Sequence, residues 1–257
     1  MDALRDRLRS PEVLRGTLIT LDSPEVALLL QKAGFSWFFL DLEHSAVLDL
    51  KSAQRIIEVL QPVSYAVIRV PDDSETWIKQ ALDTGCDGII VPHVSTAQQA
   101  QAVVERAKYP PMGKRSVGIA RAHGYGTSFT EYLGTSNERV ALIAQIEDVE
   151  GVENIHSILG VEGIDAVFVG PYDLSGSMGI LGDLTNPLLT KAIGRVRTAC
   201  QKSGVPLGIF CPNAATAQQE ISYGATLIAV GSDTGYICAG ASITLRECTP
   251  TSNRDKD

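Results

Sequence analysis

The sequence predicts an α/β protein built as a single (β/α)8 TIM barrel, and three observations carry that prediction. Eight short runs rich in Val, Ile, Leu and Phe recur along the 257 residues, amphipathic segments fill the gaps, and no glycine fingerprint for a nucleotide accompanies them. Eight units in this length allow about 32 residues each, close to one βα repeat of a barrel. An open doubly wound sheet of that size would normally carry a dinucleotide or Walker motif. Here HGYGTSF lacks the third glycine and GSMGILG has the wrong spacing.

The strands are read, in order, in GTLITL from Gly16, WFFLDL from Trp37, YAVIRV from Tyr65, GIIVPH from Gly88, ALIAQI from Ala141, AVFVG from Ala166, PLGIF from Pro206 and LIAVG from Leu227. Each run is almost continuously apolar, as a strand must be when core lies on one side and helices on the other. Between the first two, SPEVALLLQKAG opens with Ser23 as cap and Pro24 at the first helical position, and it stops at Gly34. SETWIKQALDTG repeats the design from Ser74 to Gly85, and NAATAQQEISYG repeats it from Asn213 to Gly224. The stretch YPPMGKRSVGIARAHGYGTSFTEYLG, from Tyr109, is too long and too rich in Gly, Pro and Arg for a plain helix and turn. An excursion over one barrel end is expected there. The barrel is assigned to residues 1–247, and a polar, frayed tail to residues 248–257.

With 44% hydrophobic and 20% charged residues the chain can bury a sizeable core. Its net charge of -8 makes nucleic acid and anionic membrane poor partners. The charged start MDALRDRLRS lacks the apolar run of a secretory signal, so a cytoplasmic location is expected. Cys86, Cys200, Cys211, Cys238 and Cys248 show no metal-site spacing and read as buried reduced thiols.

In barrels of this type the reaction centre lies at the carboxyl ends of the strands. Polar residues at those ends are Asp41, Glu43 and His44 after the second strand, Arg69 on the third, His93 after the fourth, Gln145 and Glu147 at the fifth, Asp173 after the sixth and Asp233 after the eighth. Glu147 and Asp173 stand one βα unit apart, so two carboxylates converge on adjacent strands. That arrangement suits Mg²⁺, Mn²⁺ or Co²⁺ with oxygen ligands, unless each carboxylate caps a helix or meets an arginine. Arg69 would meet a substrate carboxylate or pair with Asp41 or Glu43. His44 follows Asp41 and Glu43 closely enough for a carboxylate to orient its ring. His93 reads as a buried, hydrogen-bonded histidine rather than a pocket residue. All eight lysines fall outside the strand runs, which argues against a Schiff-base aldolase.

These residues resemble the HpcH/HpaI class II pyruvate aldolases, a likeness that covers nearly the whole chain. It rests on AGFSWFFLDLEHS, IRVP, IKQALDTGCDGIIVPHVSTAQQA, YPPMGKRSVG, AQIEDVEGVENI, VFVGPYDLSGSMG and ATLIAVGSDTG, in that order. The resemblance implies that Glu147 and Asp173 bind the metal, that Arg69 and Gln145 contact pyruvate or its enolate, and that Gly170, Pro171 and Tyr172 form a substrate loop. It also implies that His44 and Asp41 act as the acid/base pair and that Asp83 reaches a neighbouring subunit's site. A hexamer built as a trimer of dimers, with the last helix exchanged between subunits, is implied as well. Leu42, Ser116 and Tyr172 depart from the residues most common in that family.

The activity so implied is reversible cleavage of a 4-hydroxy-2-oxo acid to pyruvate and an aldehyde, with a divalent cation and no organic cofactor. Two alternatives remain at this point. One is a C–C lyase acting on a CoA thioester, for which Lys114, Arg115 and Arg121 are the only basic cluster; the other is a non-catalytic binding or assembly protein on the same barrel.

Overall fold

Strands that are apolar on both faces can only be satisfied inside a layered or closed sheet, and a computed structural model, describing residues 2–45 and 47–249, shows the closed form. Eight parallel strands, β1 (Leu14–Ile19), β2 (Trp37–Asp41), β3 (Tyr65–Arg69), β4 (Gly88–Val91), β5 (Ala141–Ile146), β6 (Ala166–Val169), β7 (Leu207–Cys211) and β8 (Leu227–Ser232), pair in sequence order, and β8 returns to β1. The helices follow the sequence signals. Ser23, Ser74 and Asn213 each accept the backbone N–H three residues on, from Val26, Trp77 and Thr216, and so cap α2 (Pro24–Lys32), α4 (Glu75–Asp83) and α11 (Ala214–Ser222). The remaining repeats are closed by α3 (Leu50–Leu60), α5 (Ala97–Ala107), α6 (Phe129–Arg139), α7 (Val149–Glu153), α8 (Ile155–Leu159), α9 (Pro171–Ser177), α10 (Pro187–Ser203) and α12 (Asp233–Cys248).

Alternation along the strands splits the core in two. Phe38, Leu40, Ala66, Ile68, Leu142 and Ala144 face the helices, whereas Trp37, Phe39, Tyr65, Val67, Ile143 and Phe168 fill the barrel interior. Trp37 fits because Gly16 on β1 has no side chain where the indole lies, and its Nε1–H donates to the carbonyls of Leu14 and Ile228 at 3.2 and 3.1 Å. A short helix that the periodicity does not signal, α1 (Leu4–Leu8), places Leu4 and Leu8 against this interior from the amino-terminal side.

Three further features sharpen the sequence reading, and the second corrects it. The excursion comprises a 3-10 segment (Arg121–Gly126) and α6, joins the end of α5 to the start of β5, and therefore lies at the amino-terminal end of the barrel, away from the mouth. Only Cys86, Cys200 and Cys211 are buried, with burial pushing each thiol up to about 12; Cys238 and Cys248 are exposed on α12. Finally, α12 runs through Cys248, and the expected tail lies from residue 250 outside the described residues. Among the described residues no helix is long and apolar enough to cross a membrane.

Candidate active site

The register of β2 on β3 sets Asp41 opposite Arg69 at the carboxyl ends of both strands. Parity points both inward, and the pair closes as a fork. Arg69 donates Nε–H to Asp41 Oδ1 at 2.9 Å and Nη2–H to Oδ2 at 2.7 Å, with both side chains almost fully buried. Glu43 Oε2 stands 3.1 Å from Arg69 Nη1 but is not aligned for a hydrogen bond. Burial opposes the charge on Arg69, yet the Asp41 hydrogen bonds and the surrounding carboxylates hold its guanidinium above the ordinary value. A guanidinium carries five N–H groups. The two Asp41 bonds and the Glu43 contact leave two for a ligand.

Asp41 does not orient the His44 ring. Its Oδ1 instead accepts the backbone N–H groups of Glu43 and His44 at 3.0 and 3.3 Å, which turns the chain at the end of β2. The exposed His44 ring lies 3.8 Å from Glu43 Oε2. Burial pushes the Glu43 carboxyl above its usual range, against the pull of Arg69, His44 and His93.

At the end of β5, Gln145 points inward and donates its amide N–H to Glu147 Oε2, while its own Oε1 is buried with no partner. Glu147 Oε1 accepts the His93 backbone N–H at 2.7 Å, and burial pushes this carboxyl up as well. The chain after β6 passes so close that a Cβ on Gly170 would sit 2.9 Å from Glu147 Oε2 and 3.0 Å from Gln145 Nε2. Pro171 then starts α9 and puts Asp173 in its first turn, where the helix N-terminus favours a carboxylate.

A cavity of about 160 Å³ opens here, lined by His44, Arg69, Gln145, Gly170, Pro171, Tyr172 and Asp173 together with Leu18, Phe39, Phe168 and Phe210. The fold therefore gathers most of the expected site residues around one mouth. Asp83 is not among them; it ends α4 at the opposite face and pairs with Arg115 at 2.6 Å. Asp233 does not serve the mouth either, because it is fully buried and clamps the backbone of Thr20 and Leu21 at 2.9 Å.

His93 corrects the sequence reading. Its side chain is 64% exposed, its backbone is left-handed at φ 55°, and its ring bridges Glu147 Oε1 at 3.1 Å and Glu43 Oε1 at 3.4 Å. Histidine is one of the few non-glycine residues found in that region with any frequency, but VPHVS carries no turn signal that would reveal it.

Among the described residues, no cluster of three His, Cys, Asp or Glu side chains forms a complete cation cage. The donors present are carboxylate and amide oxygens, one of them the unpartnered Gln145 Oε1, which fits a hard divalent cation completed by substrate or water.

An eight-stranded barrel with buried carboxylates, an arginine and an exposed histidine at its carboxyl mouth defines an α/β-barrel enzyme of the aldolase/lyase type. The chain belongs to the HpcH/HpaI aldolase/citrate lyase family, whose model matches residues 16–239. A 4-hydroxy-2-oxovalerate aldolase of Novosphingobium aromaticivorans is 36% identical over 248 residues, 96% of this chain and 94% of that protein. A 5-keto-4-deoxy-D-glucarate aldolase of Klebsiella pneumoniae is 37% identical over 229 residues, 89% of each chain. Among solved structures, a HpcH/HpaI aldolase/citrate lyase family protein from Burkholderia cenocepacia superposes with a TM-score of 0.91 at 34% identity, covering 95% of this chain and 98% of that one.

Proposed function

We propose that this chain reversibly cleaves a 4-hydroxy-2-oxo acid to pyruvate and an aldehyde. The observation that carries the reading is the conjunction at one mouth of Arg69, with two N–H groups to spare, and the buried, unpartnered Gln145 Oε1 beside Glu147. Glu147 and Asp173 would hold Mg²⁺, Mn²⁺ or Co²⁺, and no organic cofactor is needed. When bound, that cation supplies Lewis-acid polarisation of the 2-oxo group.

The protein's own groups account for the rest. Arg69 offers its remaining N–H groups to the oxo oxygen, and its orientation is fixed in advance by Asp41, so charge developing on that oxygen meets a donor that needs no reorganisation. Gln145 is held by Glu147 and lines the floor beside the carboxylate end of the substrate. Gly170, Pro171 and Tyr172 bound the substrate on the β6 side. His44 takes the proton of the C4 hydroxyl as the C3–C4 bond breaks, with Glu43 the carboxylate nearest its ring and Asp41 fixing the backbone that carries it.

The CoA-thioester alternative lacks support at this mouth. Arg115 is buried on Asp83, Lys114 pairs with Glu105, and Arg121 reaches the Thr84 carbonyl, all at the far end of the barrel.

Assembly belongs to the same reading. Helix α12 buries only Asp233 and leaves Ile237, Ile243 and Leu245 exposed, which supports its exchange onto a second copy. We place the protein as a cytoplasmic homo-oligomer, a hexamer formed as a trimer of dimers in which Asp83 serves a neighbouring mouth, with no nucleic-acid or membrane partner. The test is pyruvate release from 4-hydroxy-2-oxo acids by the purified protein supplied with each cation. Release abolished by EDTA and restored by the cation is expected; full activity after thorough chelation would remove the metal from the mechanism.

A further inference from the structure

The cavity is chemically two-sided. His44, Arg69, Gln145 and Asp173 come from the ends of β2, β3, β5 and β6, whereas Leu18 of β1, Phe168 of β6, Tyr172 of α9 and Phe210 of β7 form an apolar wall. The Tyr172 and Phe210 rings stand 6.3 Å apart at a tilt, and Phe168 meets Phe39 edge-on at 5.5 Å, which closes the wall beneath them. Among the described residues lining the cavity, Arg69 is the one Lys or Arg, and its charge already faces Asp41 and Glu43. No Ser, Thr or Asn is present among those lining residues.

That composition discriminates between substrate classes. With Arg69, His44, Gln145 and Asp173 taken up at the reacting end, a distal carboxylate laid along the Leu18–Phe168–Phe210 wall would find no Lys or Arg of this chain, and the hydroxyls of a sugar-type chain would find only the Tyr172 phenol there. A hydrocarbon chain meets neither penalty and covers the Phe210 and Leu18 surfaces.

We propose that this wall is an apolar subsite for a hydrocarbon substituent on the reacting carbons, so that the preferred substrates carry uncharged, unhydroxylated chains rather than sugar-acid chains. The inference rests on the aldolase reading above. In the synthetic direction the oxo-acid C3 loses a proton and bonds to the aldehyde carbon, and the aldehyde oxygen gains a proton to become the C4 hydroxyl; the substituent takes no part. The chain can therefore arrive on the aldehyde or on C3 of the oxo acid.

The experiment uses the full-length protein with Mn²⁺. Specificity constants are compared for pyruvate with butanal, glyceraldehyde and succinate semialdehyde, and then for 2-oxobutanoate against pyruvate with one fixed aldehyde. A preference of about tenfold or more for the hydrocarbon chain in the aldehyde arm assigns the wall to the acceptor, and in the donor arm to C3. Equal or reversed preference in both arms overturns the proposal. A readout without metal is the titration of 2-hydroxyhexanoate against gluconate, with the former expected to bind about tenfold tighter and equal binding counting against the subsite. In Leu18→Ser and Phe210→Ser the preference ratio should shrink at least about threefold; an unchanged ratio in both variants also overturns it.

Deuterium exchange at the pyruvate methyl group, measured without aldehyde, separates the two levels of the argument. Exchange with no chain preference defeats this subsite alone, whereas absence of both exchange and turnover defeats the aldolase reading beneath it.

Discussion

His93 holds Glu147 twice over: its backbone N–H donates to Oε1 at 2.7 Å, and its ring Nδ1 stands 3.1 Å from the same oxygen. The double contact exists because the backbone turns left-handed at φ 55° just after β4, which brings amide and ring to one side. A non-glycine residue in that conformation stores strain of about 1–2 kcal/mol, and strain of this kind concentrates where geometry is functional. His93→Gly removes the ring and relieves the strain. The expected outcome is a fold at least nearly as stable as the parent, with Mn²⁺ affinity lower by about tenfold or more, read by calorimetric titration. Unchanged affinity would reduce the ring to a bystander.

Gly170 tests the same carboxylate from the other side. With a Cβ due 2.9 Å from Glu147 Oε2, Gly170→Ala must displace either the loop or the Glu147–Gln145 pair, because backbone and buried side chain both lack room. The backbone at Gly170 lies at φ -95°, so alanine brings no conformational penalty of its own. We expect weaker cation binding and a loss of turnover of about a hundredfold, with melting temperature lowered only modestly. Normal turnover in this variant would show that the loop shifts freely.

Parts of this site are legible in the sequence and parts are not, for physical reasons. Strand ends are legible because a polar residue that closes an apolar run must face a mouth, and the two-residue period then puts Asp41 and Arg69 on the inner face together. What the run cannot tell is which partner a charge selects. Asp41 has both His44 and Arg69 within reach, and the paired register gives it to Arg69. Asp233 passes the same strand-end filter, yet its carboxylate ties the start of α12 to the turn after β1. The cysteines and apolar residues of α12 that face solvent escape the sequence reading because the general preference of free thiols and aliphatic side chains for interiors does not say which face of a helix they fall on.

The Asp41–Arg69 fork makes a separable prediction. Removing one member of a buried pair leaves the other charge unpaired, at a cost of about 3–5 kcal/mol, so Asp41→Ala should be strongly destabilised in urea. On the proposed role of its spare N–H groups at the oxo-acid end, Arg69→Ala should lose pyruvate use with every aldehyde alike. A change in selectivity among aldehydes, with pyruvate use intact, would reassign its role.

Thiol chemistry reports on the layers of the barrel. Cys86, Cys200 and Cys211 are buried, with each thiol pushed up to about 12, so they remain protonated and inaccessible at neutral pH. Titration with Ellman's reagent should therefore give at most two fast equivalents, from Cys238 and Cys248, and five only after denaturation. A third fast equivalent would mean that one of the three core positions opens readily.

Lys108 gives the pH dependence a sign. It is fully buried at the end of α5, donates to the carbonyls of Asn137 and Val140 at 2.9 and 2.7 Å, and so ties down the last turn of α6. Burial pushes its ammonium down to about 8, well below the ordinary lysine value of 10.5. Between those two values the unfolded chain binds more protons than the folded one, so this group's contribution to stability rises with pH across the window. The buried thiols act oppositely, because their folded values lie above their unfolded ones and stability is lost as the unfolded thiols ionise. Total stability therefore hides the lysine, and the difference between the parent and Lys108→Met isolates it. From pH 7.5 to 9.5 that difference should move by about 2 kcal/mol in favour of the parent in urea unfolding. A flat difference would place the Lys108 charge in contact with solvent, and a falling one would mean that folding raises its proton affinity.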